Sequence, residues 1–592
     1  MSNDILDIAI IGAGAAGTYA AYRLATDPTY DNSKIKLFDY LKFEGKPHIG
    51  GRLWSPHLPG LGYTRKAELG GMRYLTTQEI VTNILPVLNL ENVPFDVDSK
   101  DNLYNLRDSI IRNDDISNSD NVPYKLSPME QGMSPGALLI YAIESVVPNA
   151  PYLNSAEWLD VKKNFKVDGY HLYELGFWNL LERVLSEEGY QYVLDGQGYN
   201  TIPSNWNAAD AMEWTLADFG ANASYRYVHK GYQELPETLL KIATEAGVGF
   251  QEDSKLKKWL RGDDGILELL FESTVEGEPD FTVQAKKLIM AVPKRALELI
   301  DMPQDNDSWS FYNELLPAVQ PQPMFKFFLG YKYPWWRVMG MTSGRTITSN
   351  PLRQIYYWGS NYQRFFKEAP DETGGVPNDP ENSIMMIYLD GRDVPFWQPI
   401  FELLNINTKM LNVNDETHFD VLKVYTSDVN SFLSDLKEEL GQELEEINNQ
   451  PEAESEVALK ERLAHSNVLQ SKLEGIENSQ AALDQVLITV STLLRRAHSI
   501  QFIPDPYTFA YADWTADPFG GAYNLWKPGY KSWEVTKHML KPFGETEVYV
   551  VGEAYSTKQG WVEGAFETAE QMLETYLGLE KPDWLPNSYN IE

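Results

Sequence analysis

Gly12, Gly14 and Gly17 fall in the run Gly-Ala-Gly-Ala-Ala-Gly near the start of the chain. In such a run the first glycine makes a tight turn and the second lets a pyrophosphate approach the backbone. The third lets helix and strand pack closely. The helix start behind it carries unpaired amides that favour an anion. Asp39 follows 22 residues after Gly17, at the end of a second apolar run, where an acid can hold ribose hydroxyls. A preceding strand, a following helix and this acid turn a weak motif into a specific one for a dinucleotide. The loop alone does not say which dinucleotide.

The elements that must position these residues follow from hydrophobic periodicity. LDIAII (6–11) reads as a buried strand, Ala15 to about Ala25 as a helix, and IKLF (35–38) as the next strand. Residues 80–230 are mixed, with helical patches such as LYELGFWNLLERVL. Residues 245–300 read as strands, with a hairpin at RGDDG (261–265) and a buried strand KKLIMAV (286–292). FKFFLGYKY, IYYW and SIMMIYL (383–389) are further strands. From 428 to 500 the chain is rich in Glu, Gln and Leu at helical spacing, which predicts an inserted helical hairpin with a solvated acidic face. Strand signals return at EVYVVGEA (547–554), and a last helix begins near Val562. The first and last thirds therefore read as parts of one α/β domain.

A chain of 592 residues exceeds what one core supports, so two or three interleaved domains are predicted. Its 50 basic and 85 acidic residues give a net charge of −35, which disfavours nucleic acid and anionic membranes as partners. There is no cysteine, which excludes disulfides, thiolate metal sites, cysteine nucleophiles and a thioether-linked cofactor. No metal site is expected. No run approaches the ~18 apolar residues of a membrane span, and the N-terminus has no basic region before a free apolar stretch. A soluble protein is expected, cytoplasmic or released without a recognisable signal peptide. His48 and His57 flank Gly50-Gly51-Arg52 and are read as structural.

Three further segments carry a resemblance: Gly50-Gly51-Arg52, the stretch Glu68-Leu-Gly-Gly71-Met72-Arg73, and VYVVGEAYSTKQGWVEGAFETAEQML (548–573). Together with the glycine loop they resemble the flavin amine oxidases, the group containing monoamine oxidases and L-amino acid oxidases. The resemblance covers about residues 6–75, 228–395 and 505–578. It implies a Rossmann-like FAD-binding domain (1–80, 230–300, 541–592) interleaved with a mixed-sheet substrate domain (301–400, 501–540). A mainly helical domain (81–229) and an acidic helical insertion (401–500) complete the expected division. It implies FAD held by Gly12, Gly14, Ala16, Gly17, Asp39, Gly51, Arg52, Gly71, Met72, Arg73, Leu256, Trp514, Gly552, Glu553, Gly560, Trp561 and Val562. Trp336 and Trp514 match tryptophans near the flavin, with a place in the core as the alternative for either. Ala522 stands where monoamine oxidases carry the flavin-linking cysteine, so the FAD is expected to be non-covalent.

The substrate class turns on Arg73. In L-amino acid oxidases an arginine follows this Gly-x-Met motif and clamps the substrate carboxylate in a bidentate pair, whereas monoamine oxidases carry a stretch like LGGSY. The structural alternative for Arg73 is an ion pair with Glu68. Tyr388 matches a tyrosine that takes the other carboxylate oxygen. Trp561 and Tyr523 match the aromatic walls around the amine, with the Gly560 carbonyl accepting from it, although an aromatic at Tyr523 follows the monoamine oxidases. Lys326 matches the lysine that holds a water near flavin N5. The implied reaction is oxidative deamination of an L-amino acid by molecular oxygen, releasing a 2-oxo acid, ammonia and hydrogen peroxide. A homodimer is the family habit. The alternatives are a monoamine or polyamine oxidase, an amino acid 2-monooxygenase, and a flavin-binding scaffold without activity.

Overall fold

The run Leu6–Ile11 forms a strand that is buried from Ile8 onward, as a central parallel strand must be. In this computed structural model residues 5–587 and 589 are described, apart from 44–45, 59–60, 62–65, 200–204, 221–222, 304–306, 360–381, 401–424 and 450–455. The opening strand pairs in parallel with Ile35–Phe38 on one side and Phe281–Met290 on the other. Gly249–Gln251 extends the sheet beyond Ile35–Phe38. Val548–Val550 joins Phe281–Met290, also in parallel, so the end of the chain completes a sheet that its beginning starts. The hairpin Ser254–Arg261 and Leu267–Ser273 continues antiparallel onto Phe281–Met290, making seven strands in all.

The helices Ala15–Thr26 and Val562–Met572 share one core against this sheet. Arg23 grips Glu570 through two bonds of 2.8 Å, and Tyr19 donates to the same carboxylate at 2.7 Å. All three side chains are buried, so each depends on the others for its hydrogen bonds. Glu563, on the last helix, accepts from the amides of Ile80 and Val81 at 2.9 Å each and caps the helix Glu79–Val87.

A second sheet has eight strands. Their order is Tyr425–Thr426, Thr508–Asp513, Met324–Tyr331, Ser383–Asp390, Gln354–Tyr356, Arg345–Thr348, Leu103–Leu106 and Ser109–Arg112. Met324–Tyr331, Ser383–Asp390 and Thr508–Asp513 are buried at every position, so both faces are covered. One face presents Phe325, Phe327, Met385, Ile387 and Leu389 to a core that also holds Leu483, Val486, Val490 and Leu494. Those four belong to the helix Glu456–His498, which with Ser427–Asn448 forms the helical hairpin. Its last turns are therefore a lid on the sheet, not a solvated appendage. The other face carries Lys326, Phe328, Met386 and Tyr388 toward the loops of the first sheet.

The edge strands Leu103–Leu106 and Ser109–Arg112 lie within the segment expected to be mainly helical. Their turn holds Arg107 at φ 49° and Asp108 at φ 63°, a hairpin turn made without glycine. That is why no turn signal marks it in the sequence.

Candidate active site

The glycine loop turns where Leu6–Ile11 ends. Gly12 has φ 102°, and a Cβ there would sit 2.6 Å from the Ala291 oxygen. A Cβ on Gly17 would lie 1.9 Å from the Gly12 oxygen, so this glycine lets the helix close onto its own loop. Gly14 leads into the helix Ala15–Thr26 without a side-chain cap, which leaves its first amides facing a cleft. The helix Val562–Met572 likewise starts at Trp561 without a side-chain cap, and Trp561 and Val562 line the same cleft. Two uncapped helix N-termini, one from each end of the chain, thus place partial positive charge on one cleft.

The cleft holds about 1320 Å³ of empty space, part of it open to solvent. Gly12, Gly14, Ala16, Asp39, Gly51, Arg52, Gly71, Gly552, Glu553, Gly560, Trp561 and Val562 all line it. Asp39 ends the second strand and accepts from the amides of Ala13, Tyr40 and Leu41. Burial raises its carboxyl above the ordinary range, with those amides pulling it back. Arg52 donates to Glu553 at 2.8 Å and to the Ala522 carbonyl at 2.9 Å. Glu553 also accepts from the Asn524 side chain at 2.7 Å and the Gly560 amide at 3.1 Å. One ion pair thus ties the Gly-Gly-Arg loop to the closing segment. Burial lowers His48 to about 4, so it is neutral near pH 7 as it bonds the Gly51 carbonyl at 2.8 Å. An elongated dinucleotide fits these features: an acid at one strand end, an anion site at two helix starts, and glycines where backbone forms the wall.

Five residues expected at the cofactor do not line the cleft. Gly17 packs within its loop. Met72 and Trp514 lie in the core beneath the second sheet's inner face, where Trp514 donates to the Leu69 carbonyl at 2.8 Å. Leu256 is buried among Trp259, Leu269 and Phe271, and Ser254 lines the cleft in its place. Trp336 takes the core alternative too. It follows Met324–Tyr331 into a turn on the outer face and packs against Trp335, Tyr331 and Tyr357. Tyr40, Leu41, Val292 and Pro293 line the cleft without any motif that marks them.

Arg73 is the fifth, and it lies over the second sheet. Its guanidinium donates to the Tyr199 hydroxyl at 2.9 Å and the Tyr356 hydroxyl at 3.3 Å, and stacks 4.2 Å from the Tyr225 ring centre. The alternative pairing with Glu68 does not form. Glu68 instead accepts from the Ser55 hydroxyl at 2.7 Å and the Tyr232 amide at 2.9 Å. Among the described residues no carboxylate hydrogen-bonds Arg73; the nearest acid acting on it is buried Asp218, which accepts from Tyr225 at 2.8 Å.

Strand register arranges the rest. Lys326, Tyr388 and Gln354 form one cross-strand row, and Phe328, Met386, Tyr356 and Arg345 the next. Lys326 sits 5.1 Å from the centre of the Tyr388 ring and donates to the carbonyls of Glu68, at 3.3 Å, and Gly70. Burial lowers Lys326 to about 7, with Glu68 opposing and Arg73 assisting the shift. Burial raises the Glu68 carboxyl to about 7. Among the described residues the Tyr388 hydroxyl makes no hydrogen bond, while its ring meets Tyr199 edge-on at 5.3 Å. Tyr523 donates to the buried Asp390 carboxylate at 2.9 Å, which fixes its ring beside Gly560. Tyr199, Tyr356 and Arg345 had no motif to announce them; an arginine in the buried strand Arg345–Thr348 is the one trace in the sequence.

Comparison with known proteins agrees with this construction. Residues 16–397 and 470–572 match the family model of flavin-containing amine oxidoreductases. Aplysianin-A of Aplysia kurodai is 25% identical across 97% of this chain and 90% of its own length. The L-amino-acid oxidase of Siganus canaliculatus is 25% identical across 59% of this chain and 61% of its own. The solved structure of putrescine oxidase bound to putrescine shares the fold, with a TM-score of 0.56 at 13% identity over 97% of this chain and 100% of that one. With the family match spanning most of its length and a cleft built from both chain ends for FAD, this chain belongs to the flavin-containing amine oxidoreductases.

Proposed function

We propose that this protein catalyses the oxidative deamination of L-amino acids. A substrate with an amine and molecular oxygen follow from the family; the carboxylate is what Arg73 adds. A buried guanidinium hydrogen-bonded only to two phenols, with no carboxylate in contact, retains donors that a buried substrate carboxylate needs. Arg73 would hold one carboxylate oxygen and the free Tyr388 hydroxyl the other. Tyr523 and Trp561 would flank the amine, with the Gly560 carbonyl accepting from it. Lys326, neutral above about pH 7, would hold a water or accept a proton at Nζ.

FAD, when bound, supplies the two-electron acceptor and the route to oxygen. The net reaction converts an amino acid, oxygen and water into a 2-oxo acid, ammonia and hydrogen peroxide. The purified yellow protein should release equal amounts of ammonia and peroxide from a subset of the twenty amino acids. Peroxide from amines alone would overturn the amino-acid reading. An amide and carbon dioxide in place of ammonia and peroxide would make the enzyme a monooxygenase.

A further inference from the structure

Arg73 has a neighbour that the reading above leaves unused. Arg345 is as buried as Arg73, and it approaches the Tyr356 hydroxyl from the adjoining strand at 3.2 Å, against 3.3 Å for Arg73. Two guanidinium groups thus flank one phenol oxygen. Arg345 also donates to the Gln354 side chain, and its charge lies over the Tyr199 ring at 5.4 Å. Its Nε makes no hydrogen bond but faces the Asp98 carboxylate at 3.5 Å, an ion pair whose acid is half exposed and therefore well solvated. Burial would raise the Tyr356 hydroxyl, yet Arg345 and Arg73 together hold it below its ordinary value. Two buried guanidinium groups thus meet at one phenol, opposed by the half-exposed Asp98 and by Asp218, neither of which hydrogen-bonds them. Two adjacent buried guanidinium groups that hydrogen-bond only neutral oxygens can each still take an anion in direct contact.

We propose that Arg345 forms a second anion subsite beside Arg73, and that the preferred substrates are dicarboxylic L-amino acids of the glutamate and aspartate type. The inference rests on the amino-acid reading of Arg73. It assigns the α-carboxylate to Arg73 and the distal carboxylate to Arg345, with Tyr356 and Tyr199 as shared hydroxyls between them. An amide in place of the distal carboxylate leaves Arg345 with only its solvated partner Asp98, so discrimination between acid and amide should be large.

The test compares kcat/KM for L-glutamate, L-glutamine, L-aspartate and L-asparagine on the purified holoenzyme, by peroxide release. The better acid should exceed its amide by at least about 100-fold. In Arg345→Met that ratio should fall to near one, mainly through KM, and Arg345→Lys should restore part of it. Glutarate should inhibit the wild type at far lower concentration than butyrate, a readout that needs no turnover of the competitor. Amides or neutral amino acids used as well as acids, with glutarate no better than butyrate, would overturn the subsite while leaving amino-acid oxidation intact. Peroxide from amines alone would instead remove the reading beneath it. Should Arg345→Met fail to fold, the wild-type acid-to-amide ratio and the glutarate comparison still decide.

Discussion

The dinucleotide cleft and the substrate face of the second sheet adjoin one another, yet they are built from different materials. At its motif positions the cleft relies on backbone, with Gly12 and Gly51 at positive φ and open helix starts at Gly14 and Trp561, set among apolar side chains such as Phe38, Leu41 and Val292. The proposed substrate face is largely side chain: Arg73, Tyr199, Tyr356, Arg345, Lys326 and Tyr388, gathered from separate stretches of the chain. A backbone site needs residue types that permit particular conformations, so its sequence is constrained locally. A side-chain site needs only that distant strands pair in the right register, which leaves little local trace.

If the two regions are separate in kind, their variants should fail differently. Arg73→Ala is expected to lower kcat/KM for the best amino acid by about 10³-fold, or roughly 4 kcal/mol, with the flavin spectrum unchanged. Loss of bound flavin in that variant would break the distinction. Gly17→Ala forces a Cβ to 1.9 Å from the Gly12 oxygen and should cost about 1–3 kcal/mol of stability together with flavin content. Chemical denaturation and flavin absorbance per chain would measure both; full flavin loading at wild-type stability would contradict the packing role.

Lys326→Met should sharpen the contrast through pH. The wild-type lysine, lowered to about 7 by burial, is charged below that value and neutral above it. If its neutral form serves the reaction, kcat should fall as pH drops through about 7, and this limb should be absent from the variant. An identical pH profile in both proteins would remove Lys326 from the chemistry. The smallest effect is expected at Lys257→Ala. That residue pairs with Asp280 on the first sheet's exposed hairpin, and its loss should change stability by no more than about 0.5 kcal/mol with turnover unaltered. Calorimetry and a peroxide assay would check it.

What was legible in the sequence follows the same division. The strands at 6–11 and 35–38, the glycine loop, Asp39 and the closing segment were readable because each is a local pattern. Trp336 and Trp514 read equally as flavin neighbours or core residues, and both pack into cores, because a tryptophan beside a strand gives no sign of which face it will choose. Leu256 packs with Trp259, Leu269 and Phe271, and no residue type announces that Ser254, two positions earlier, lines the cleft. Tyr199 and Tyr356 meet at 3.2 Å across 157 residues of chain, a contact that periodicity cannot report.

The pairing of Arg23 with Glu570 and of Leu6–Ile11 with a sheet finished by Val548–Val550 sets a timetable for biosynthesis. The helix behind the glycine loop packs early on Leu239 and Ala243 of Glu234–Glu245, but Arg23 is made 547 residues before the Glu570 carboxylate it depends on. At ~5–20 residues per second that interval is roughly half a minute to two minutes. The N-terminal half must wait through it with an incomplete sheet edge and an unmatched arginine. A chain cut short before Val548 lacks Gly552, Glu553 and Trp561 of the cofactor cleft, so firm flavin retention is expected only once the closing segment has been made.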